Sequence, residues 1–226
     1  MPKPRTPPAD AASADAGSAY HHGDLRRALV DAALALVVEE QDWGFSLREV
    51  TRRAGVSHNA PYNHFADKRA LLAAVAAAGY EALRARTAAA AADTPSPEAA
   101  LLAIGVAYVR FGLGNPAHYR LMFGPTLTTG EGGLPAVAAE AAAGAKAVLG
   151  EAVLRGAQDG RFAVSPASQA ELELAALSAW SLVHGLTMLA IDGLAGTGAP
   201  SALPASFPEH VIEGVARALI NGLRTR

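Results

Sequence analysis

The amino-acid sequence predicts an all-α protein. Apolar residues recur with the 3.6-residue period of amphipathic helices through most of the chain, and no segment alternates apolar and polar residues as a strand would. Loops rich in Gly and Pro separate the periodic segments. With 226 residues, half of them apolar, the chain can form one medium-sized domain or a small domain joined to a larger one.

The composition argues against several classes of protein. The formal net charge is −2, so overall charge indicates no particular partner. The absence of cysteine excludes disulfides and thiolate zinc sites, and it fits the reducing cytoplasm. We find no nucleophile with a base, no paired carboxylates and no set of metal ligands, so we expect no enzyme, cofactor or metal. The weaker alternative is an acid–base site formed by His118, Tyr119 and His184.

Two segments need comparison with targeting or membrane sequences. Residues 1–19 are rich in Pro, Ala and Ser without an apolar run, so we expect a disordered tail rather than a signal peptide or anchor. Residues 174–191 carry no formal charge over 18 positions, the lower limit for a membrane span. Polar residues within this segment and acidic residues at its ends favour a helix buried in the protein or at a subunit interface.

Two helices are expected before residue 55. In the first, "GDLRRALVDAALALVVEE", the positions on one face are Leu25, Leu29, Ala32 or Ala33, and Leu36. The second starts at Ser46, which forms a capping-box pattern with Glu49, and it ends at Gly55. Its inward positions are Leu47, Val50 and Ala54, and its outward positions are Arg48, Arg52 and Arg53.

The stretch "GVSHNAPYNHF", residues 55–65, predicts a third helix. Ser57 can cap it after a three-residue turn, and Pro61 then lies in or near the first turn, so the helix should be short and irregular at its start. Pro61 and Phe65 share an apolar face. The opposite face carries His58, Asn59, Tyr62 and Asn63. A fourth helix is expected with Asp67 as its cap and Lys68 at its first position.

A helix, a three-residue turn and a second helix have the spacing of a helix–turn–helix, whose second helix enters the DNA major groove. Residues 46–70 carry five basic and two acidic side chains. The spacing alone also allows an ordinary helical hairpin, because such turns are common. A metal site is the weaker interpretation, since His58 and His64 are six residues apart and lie on different helical faces.

The break "DTPSP", residues 93–97, precedes five further helices, expected near 98–114, 116–124, 135–158, 167–193 and 208–224. His184 lies in an uncharged helix and needs a hydrogen-bond partner, which could be Tyr119, a backbone carbonyl or an effector. The mostly apolar large side chains favour an apolar or aromatic effector, although each could instead be core. These candidates are Tyr108, Phe111, His118, Tyr119, Met122, Phe123, Trp180, His184 and Met188.

Residues 20–75, from "YHHGDLRRALV" through "GVSHNAPYNHFADKRALLAAV", strongly resemble the DNA-binding head of TetR-family transcriptional regulators. The segments "NPAHYRLMFGP" and "WSLVHGLTMLA" look like a subgroup with a Trp-x-x-x-His-Gly signature in its ligand domain. The resemblance implies an N-terminal three-helix helix–turn–helix head, residues 20–66, and a connecting helix, 67–92. It also implies a C-terminal helical ligand-binding and dimerisation domain, residues 93–226.

The resemblance further implies a cytoplasmic homodimer that binds a pseudo-palindromic DNA operator and is released by a small effector. Ser46 and Arg48 should then contact phosphate, as should Lys68 at its helix N-terminus. The implied reading surface is His58, Asn59, Ala60, Tyr62, Asn63 and His64. Pro61, Asn59 and Asn63 depart from the residues usual in the family, so the operator sequence stays open.

The last two predicted helices should form a two-fold four-helix interface, as in the family. Their small residues would allow close approach: Ala175, Ala176, Ser178, Ala179, Gly214, Ala216 and Ala218. The fourth helix, from residue 67 to about 91, is the expected lever between effector and DNA. A transcriptional activator of the same fold stays open, as does a helical small-molecule carrier. The carrier would not need "SHNAPYNH" on an exposed face.

Overall fold

The structure, a computed structural model, describes residues 14–57, 59–129, 132–195 and 208–224, with side chains from Leu25 onward. These residues form α-helices and one short 3₁₀ helix, which confirms the predicted all-α class. The helices are α1 Ala14–Glu40, α2 Leu47–Ala54, the 3₁₀ helix Ala60–Asn63, α3 Lys68–Ala92, α4 Pro97–Gly114, α5 Pro116–Phe123, α6 Pro125–Thr128, α7 Ala136–Gln158, α8 Gln169–Ile191 and α9 Glu209–Leu223.

The chain divides into two compact units after Leu71. We call residues up to Leu71 the head and residues from Leu72 the body. The predicted connecting helix, 67–92, is α3, and it has no unit of its own. Its first turn belongs to the head and its remainder to the body.

The predicted tail is too long at its C-terminal side. Helix α1 begins at Ala14, so residues 14–19 are helical, whereas residues 1–13 lie outside the described part. Three of these six residues are alanine, the residue with the highest helix propensity, and this preference outweighs the single glycine.

The core of the head forms where α1 packs against α2 and the 3₁₀ helix. Leu29, Ala33 and Val50 are fully buried, as the helical periodicity predicts. Phe65, two residues after the 3₁₀ helix, is also buried. This small core fixes the turn between α2 and the 3₁₀ helix.

Helix α4 lies at the centre of the body and packs against α7, α8 and α9. Gly105 faces two of these neighbours at ordinary van der Waals distance. A Cβ at this position would lie 3.4 Å from Val183 Cγ1 and 3.6 Å from Ala216 Cβ. By length and composition α4 and α8 could each cross a membrane, but core helices pass the same test, and α4 is mostly buried here.

Part of the predicted dimer interface faces the protein interior instead. Ala175, Ala179 and Ala216 are almost fully buried within the protomer. On α8, Ala175, Ala179 and Val183 are spaced four residues apart. On α9, Ile212, Ala216 and Ile220 have the same spacing, which is the period of an inward helical face. The sequence pattern of small residues could not distinguish this face from the opposite one.

Helix α5 is joined to α3 inside the body. The His118 imidazole Nε2 lies 2.8 Å from the Val75 carbonyl, and the Tyr80 hydroxyl donates to the Met122 carbonyl at 2.7 Å. Gly79 makes this contact possible, since a Cβ there would lie 2.5 Å from Met122 Sδ. Helix α6, a single turn after Gly124, lies in a segment that the sequence predicted as loop.

Candidate DNA-reading surface and ligand cavity

The start of α2 is held by the predicted capping box. The Glu49 N–H donates to Ser46 Oγ at 3.3 Å, and the Ser46 N–H donates to Glu49 Oε2 at 2.6 Å. This backbone hydrogen bond from Ser46 is the main reason that the pKa of Glu49 is lowered. The Ser46 hydroxyl also donates to Glu49 Oε2 at 2.9 Å. Both donors of Ser46 are therefore occupied, and a phosphate contact there would have to replace Glu49.

The turn after α2 has the geometry of a Schellman motif. Gly55 has φ 67°, its N–H donates to the Arg52 carbonyl, and the Val56 N–H donates to the Thr51 carbonyl. A left-handed residue is required at this point, which explains the glycine.

The predicted third helix starts later than expected and is a 3₁₀ helix. Asn59, rather than Ser57, is the residue at its N-cap, and no side chain caps it. Pro61 explains the difference. An α-helix begun at Ser57 would place the proline ring against the Ser57 carbonyl. The Ala60 N–H instead donates to the Ser57 carbonyl at 3.0 Å.

The proposed reading residues divide by exposure. Asn59, Tyr62 and Asn63 are exposed, and His64 is half-buried. Ala60 is only 6% exposed and is buried with Pro61, so it does not lie on the exposed face where the reading surface placed it. The prediction for His58 lies outside the described residues.

The cationic side chains of the head differ in their surroundings. Arg48 and Arg52 are exposed. The Arg53 guanidinium is paired with both carboxylate oxygens of Glu39 on α1, and the hydrogen bond to Glu39 raises the pKa of Arg53. Lys68 Nζ lies 4.9 Å from the centre of the Phe45 ring, a cation–π distance. Lys68 is therefore positioned by an aromatic ring at the start of α3, where the helix dipole favours an anion.

The body encloses a cavity of about 650 Å³, within the range of small-molecule sites. Its lining comes from α3, α4, α7, α8 and α9, from the last residues of α5 and α6, and from Leu134. Most of these side chains are apolar. The predicted candidates that line it are Tyr108, Phe123, Trp180 and His184.

Four polar side chains form a network in this wall. Trp180 Nε1 donates to the Tyr108 hydroxyl at 3.0 Å, and the Tyr108 and Tyr119 hydroxyls are 2.8 Å apart. His184 Nδ1 lies 2.6 Å from the Tyr119 hydroxyl and 3.1 Å from that of Tyr108. Tyr119 was one of the partners expected for His184, and this pairing is confirmed.

Burial decides the charge of the network. Desolvation raises the pKa of Tyr108 to about 12 and raises that of Tyr119 further. Desolvation also lowers the pKa of His184, so the imidazole is neutral at neutral pH. The wall therefore presents hydrogen-bonding groups without charge.

Five predicted pocket residues do not line the cavity. Tyr119 acts through the network just described. His118 is buried against Val75, and burial lowers the pKa of its imidazole. The others are Phe111 and Met122, which are core residues, and Met188, which is half-buried elsewhere on α8.

The sequence interpretation missed several lining residues. Tyr80, Leu83 and Thr87 lie at i, i+3 and i+7 of α3, and this stripe could have identified them. On α7, Lys146 places its Nζ 5.7 Å from the centre of the Trp180 ring. No sequence pattern distinguished Lys146 from a solvent-exposed lysine. No group of three His, Cys, Asp or Glu side chains that could hold a metal occurs in the described ranges.

A helix–turn–helix head joined to a helical body with an apolar cavity defines a class of DNA-binding regulators. Comparison with family models supports this class. Residues 29–75 match "Bacterial regulatory proteins, tetR family", and residues 101–213, half of the chain, match "Tetracyclin repressor-like, C-terminal domain". The chain belongs to the TetR family of transcription regulators, whose members bind operators and small effectors and act as dimers.

Solved structures are similar to this chain over nearly its whole length. A protein of unknown function from Rhodococcus sp. RHA1 is 29% identical, covers 91% of this chain and 98% of its own, and has a TM-score of 0.73. A TetR family transcription regulator from Marinobacter aquaeolei VT8 is 19% identical, covers 92% and 100%, and has a TM-score of 0.66. The latter likeness shows the fold alone. No curated protein matches the sequence.

Proposed function

We propose that this regulator is a cytoplasmic repressor that leaves a pseudo-palindromic operator when a small apolar or aromatic molecule enters the body cavity. The observation that carries this proposal is the uncharged polar network in the wall of an otherwise apolar cavity. A body that only stabilised the fold would need no such cavity. The Trp180–His184–Gly185 segment, which carries two members of the network, supports membership of the subgroup with that signature.

The proposed DNA contacts are the exposed side chains of the reading segment and its flanking cations: Arg48, Asn59, Tyr62, Asn63, His64 and Lys68. Amide side chains can pair with adenine in the major groove, and the two cations would contact phosphate. Ser46 remains a weaker candidate because its donors bind Glu49.

The proposed dimer interface is the outward face of α8 and α9. Leu174 and Leu189 are large apolar side chains with 64% and 47% exposure in the protomer, whereas Leu177, 51% exposed, lines the cavity. Ser178 on α8 and Gly214 and Ala218 on α9 are small and exposed, so two copies could approach closely. A two-fold axis through this face would pair α8 and α9 with their copies as a four-helix bundle.

Effector release requires a link between cavity and head, and α3 provides a continuous helix for it. Tyr80, Leu83 and Thr87 of α3 line the cavity, and the same helix begins at Lys68 in the head. An effector can shift the DNA affinity only through its different affinity for the two states, commonly worth ~1–3 kcal/mol. Identical head separations in effector-bound and operator-bound dimers would contradict this mechanism.

The test is fluorescence anisotropy with DNA from upstream of the protein's own gene, against scrambled competitor at ~150 mM salt. We expect saturable binding that resists the competitor and weakens at least ~fivefold in Asn59→Ala, the loss of about 1 kcal/mol of base discrimination. Gln158→Ala removes an exposed amide from α7 and should leave the affinity unchanged. Binding that the competitor abolishes would contradict an operator at this position and favour the carrier alternative.

A second assay distinguishes a repressor from an activator. A reporter gene placed behind the same DNA should be transcribed more strongly when the regulator is deleted. Lower transcription on deletion would instead indicate an activator of the same fold.

A further inference from the structure

Three atoms in the cavity wall form a triangle of hydrogen-bond distances. Tyr108 Oη and Tyr119 Oη are 2.8 Å apart, and His184 Nδ1 lies 3.1 Å and 2.6 Å from them. Tyr108 Oη also accepts the Trp180 N–H at 3.0 Å. The Tyr119 hydroxyl also forms a side-chain hydrogen bond with the Thr187 hydroxyl, which itself donates to the Val183 carbonyl at 2.6 Å.

The shortest side of the triangle indicates the tautomer of His184. The 2.6 Å between Tyr119 Oη and Nδ1 is shorter than the range of about 2.7–3.2 Å for an N–H donor and fits a hydroxyl donor, so Tyr119 donates to an unprotonated Nδ1. With Nδ1 unprotonated, Tyr108 donates to Tyr119 and Tyr119 donates to Nδ1, so every group is paired. The neutral imidazole then carries its proton on Nε2.

This Nε2–H is a donor that the protein leaves unused. His184 lines the cavity and is half-buried, and its Nε2 makes no hydrogen bond to any described residue. The fully buried side-chain atoms that lack a hydrogen-bond partner in the described residues do not include this Nε2. Part of its surface is therefore accessible.

The other polar groups of the lining offer no comparable handle. The hydroxyls of Tyr80 and Thr87 donate to backbone carbonyls of Met122 and Leu83. The charged lining residues are Lys146 and Glu173, which have opposite signs, and the Glu173 carboxylate also accepts from Gln169. The Thr128 hydroxyl donates to the Gly124 carbonyl at 2.9 Å. The rest of the lining beyond the network is apolar, so an uncompensated ligand charge would be costly there.

We propose that the effector is a neutral, predominantly apolar molecule with a carbonyl-type oxygen that accepts the Nε2–H of His184. Tyr108, Tyr119 and Trp180 act as positioning residues, because they hold the ring in the tautomer that donates into the cavity. The inference rests on the proposed function, since it assigns the chemistry of the effector to this cavity.

The test uses two ring systems of nearly equal size, 9-fluorenone with a ketone oxygen and fluorene without one. The protein carries Trp43→Phe, which leaves Trp180 as the sole tryptophan and its fluorescence as the signal. We expect fluorenone to bind at least ~tenfold tighter than fluorene, the effect of satisfying one buried donor. The anionic probe fluorene-9-carboxylate should bind more weakly than fluorenone.

Two matched histidine variants test whether the preference for the ketone depends on the His184 imidazole. His184→Phe should bind both neutral probes with similar affinity, whereas His210→Phe, at an exposed position on α9, should keep the preference for the ketone. Circular dichroism of each variant verifies that the fold is retained. Tyr119→Phe should reduce the preference by freeing the tautomer.

Nitrogen-15 NMR of labelled histidine reads the tautomer directly. His184 should show an unprotonated Nδ1 and a protonated Nε2, and fluorenone should shift the Nε2 resonance. A protonated Nδ1, equal affinities for the two neutral probes, or no binding of either probe would overturn the inference. Operator binding in the anisotropy assay without a ketone preference would contradict this inference but not the proposed function. A ketone preference without operator binding would contradict the proposed function but not this inference.

Discussion

In the head, the residues proposed to read DNA are separate from the residues that form the core. In the body, the residues of the cavity wall belong to both sets. In the head, Asn59, Tyr62 and Asn63 are exposed, while different residues, such as Val50 and Phe65, form the core. In the body, Tyr108 and Tyr119 are at once core residues and members of the polar network. Substitutions should therefore separate DNA affinity from stability in the head, but change effector affinity and stability together in the body.

The most severe test of this contrast is Gly112→Ala in α4. A Cβ at Gly112 would lie 2.3 Å from Thr187 Cγ2 and 3.1 Å from the Tyr119 ring, and Thr187 is fully buried. We expect a loss of about 3 kcal/mol in the free energy of unfolding, the upper range for overpacking. Guanidinium denaturation followed by Trp180 fluorescence, in the Trp43→Phe background, measures it.

Gly150→Ala is the matched control, because no atom lies within 4 Å of its Cβ position in α7. It should raise the free energy of unfolding by up to ~1 kcal/mol through helix propensity. Equal effects of the two substitutions would show that the cavity wall is loosely packed.

The second test is the pH dependence of a carboxylate in the body. Burial would raise the pKa of Glu98, but hydrogen bonds from its own backbone and Ser96, with the charges of Arg161 and Arg224, outweigh it and hold the pKa below 4.5. Glu98 Oε1 lies 3.0 Å from Arg161 and 4.0 Å from Arg224. Because the pKa of Glu98 is lower in the folded protein than in the unfolded chain, its ionised carboxylate stabilises the fold at neutral pH. This stabilisation is lost as the pH falls from 4.5 through the folded-state pKa.

Glu98→Gln should therefore cost about 2 kcal/mol at pH 7, and the difference from the parent protein should shrink in acid. Chemical denaturation at a series of pH values gives both quantities. Glu151→Gln, at an exposed position of α7, should change the stability by less than ~0.5 kcal/mol at every pH. A constant effect of Glu98→Gln across pH would contradict a folded-state pKa shift.

The third test removes one tyrosine hydroxyl from each region. Tyr119→Phe deletes a fully buried member of the network and should cost about 1.5 kcal/mol, together with effector affinity. Tyr62→Phe deletes a hydroxyl from a side chain that is 55% exposed, so the stability should change by less than ~0.5 kcal/mol while operator affinity falls. If Tyr62→Phe destabilised the protein as much as Tyr119→Phe, the contrast between the regions would be wrong.

The smallest expected effect comes from helix caps. Ser46 and Ser168 accept from the backbone N–H of Glu49 and Glu171, each at 3.3 Å. Either serine changed to alanine should cost about 1 kcal/mol. Trp43 in a Trp180→Phe background reports the head, and Trp180 in a Trp43→Phe background reports the body. An equal effect of Ser46→Ala at both tryptophans would show that the two units do not unfold separately.

The sequence predicted best those features whose partners are close in the chain. The capping box spans Ser46 to Glu49, and the helical faces repeat every three or four residues, so each could be identified from a short window. The wall network joins residues 65, 72 and 76 positions apart. The sequence limited the partner of His184 to Tyr119, a carbonyl or an effector. Only the packing of α4, α5 and α8 identified Tyr108 and Trp180 as further members.

The errors have similar physical causes. The helix expected from Ser57 was displaced by the geometry of Pro61, a constraint stronger than the capping preference of serine. Ala175, Ala179 and Ala216 were assigned to an interface because small residues suit both an interface and a tight interior. His118 and Met122 share the composition of pocket residues, but the close approach at Gly79 places them in the core.

The buried proline of the reading segment has a thermodynamic consequence. Its ring fixes one backbone torsion, and with Ala60 it anchors the 3₁₀ helix to the head. A segment already restricted in this way has fewer conformations to lose when it meets DNA, and preorganisation of this kind lowers the entropic cost of association. More of the free energy of the base contacts can then contribute to operator affinity than in a segment that had to be ordered at the DNA.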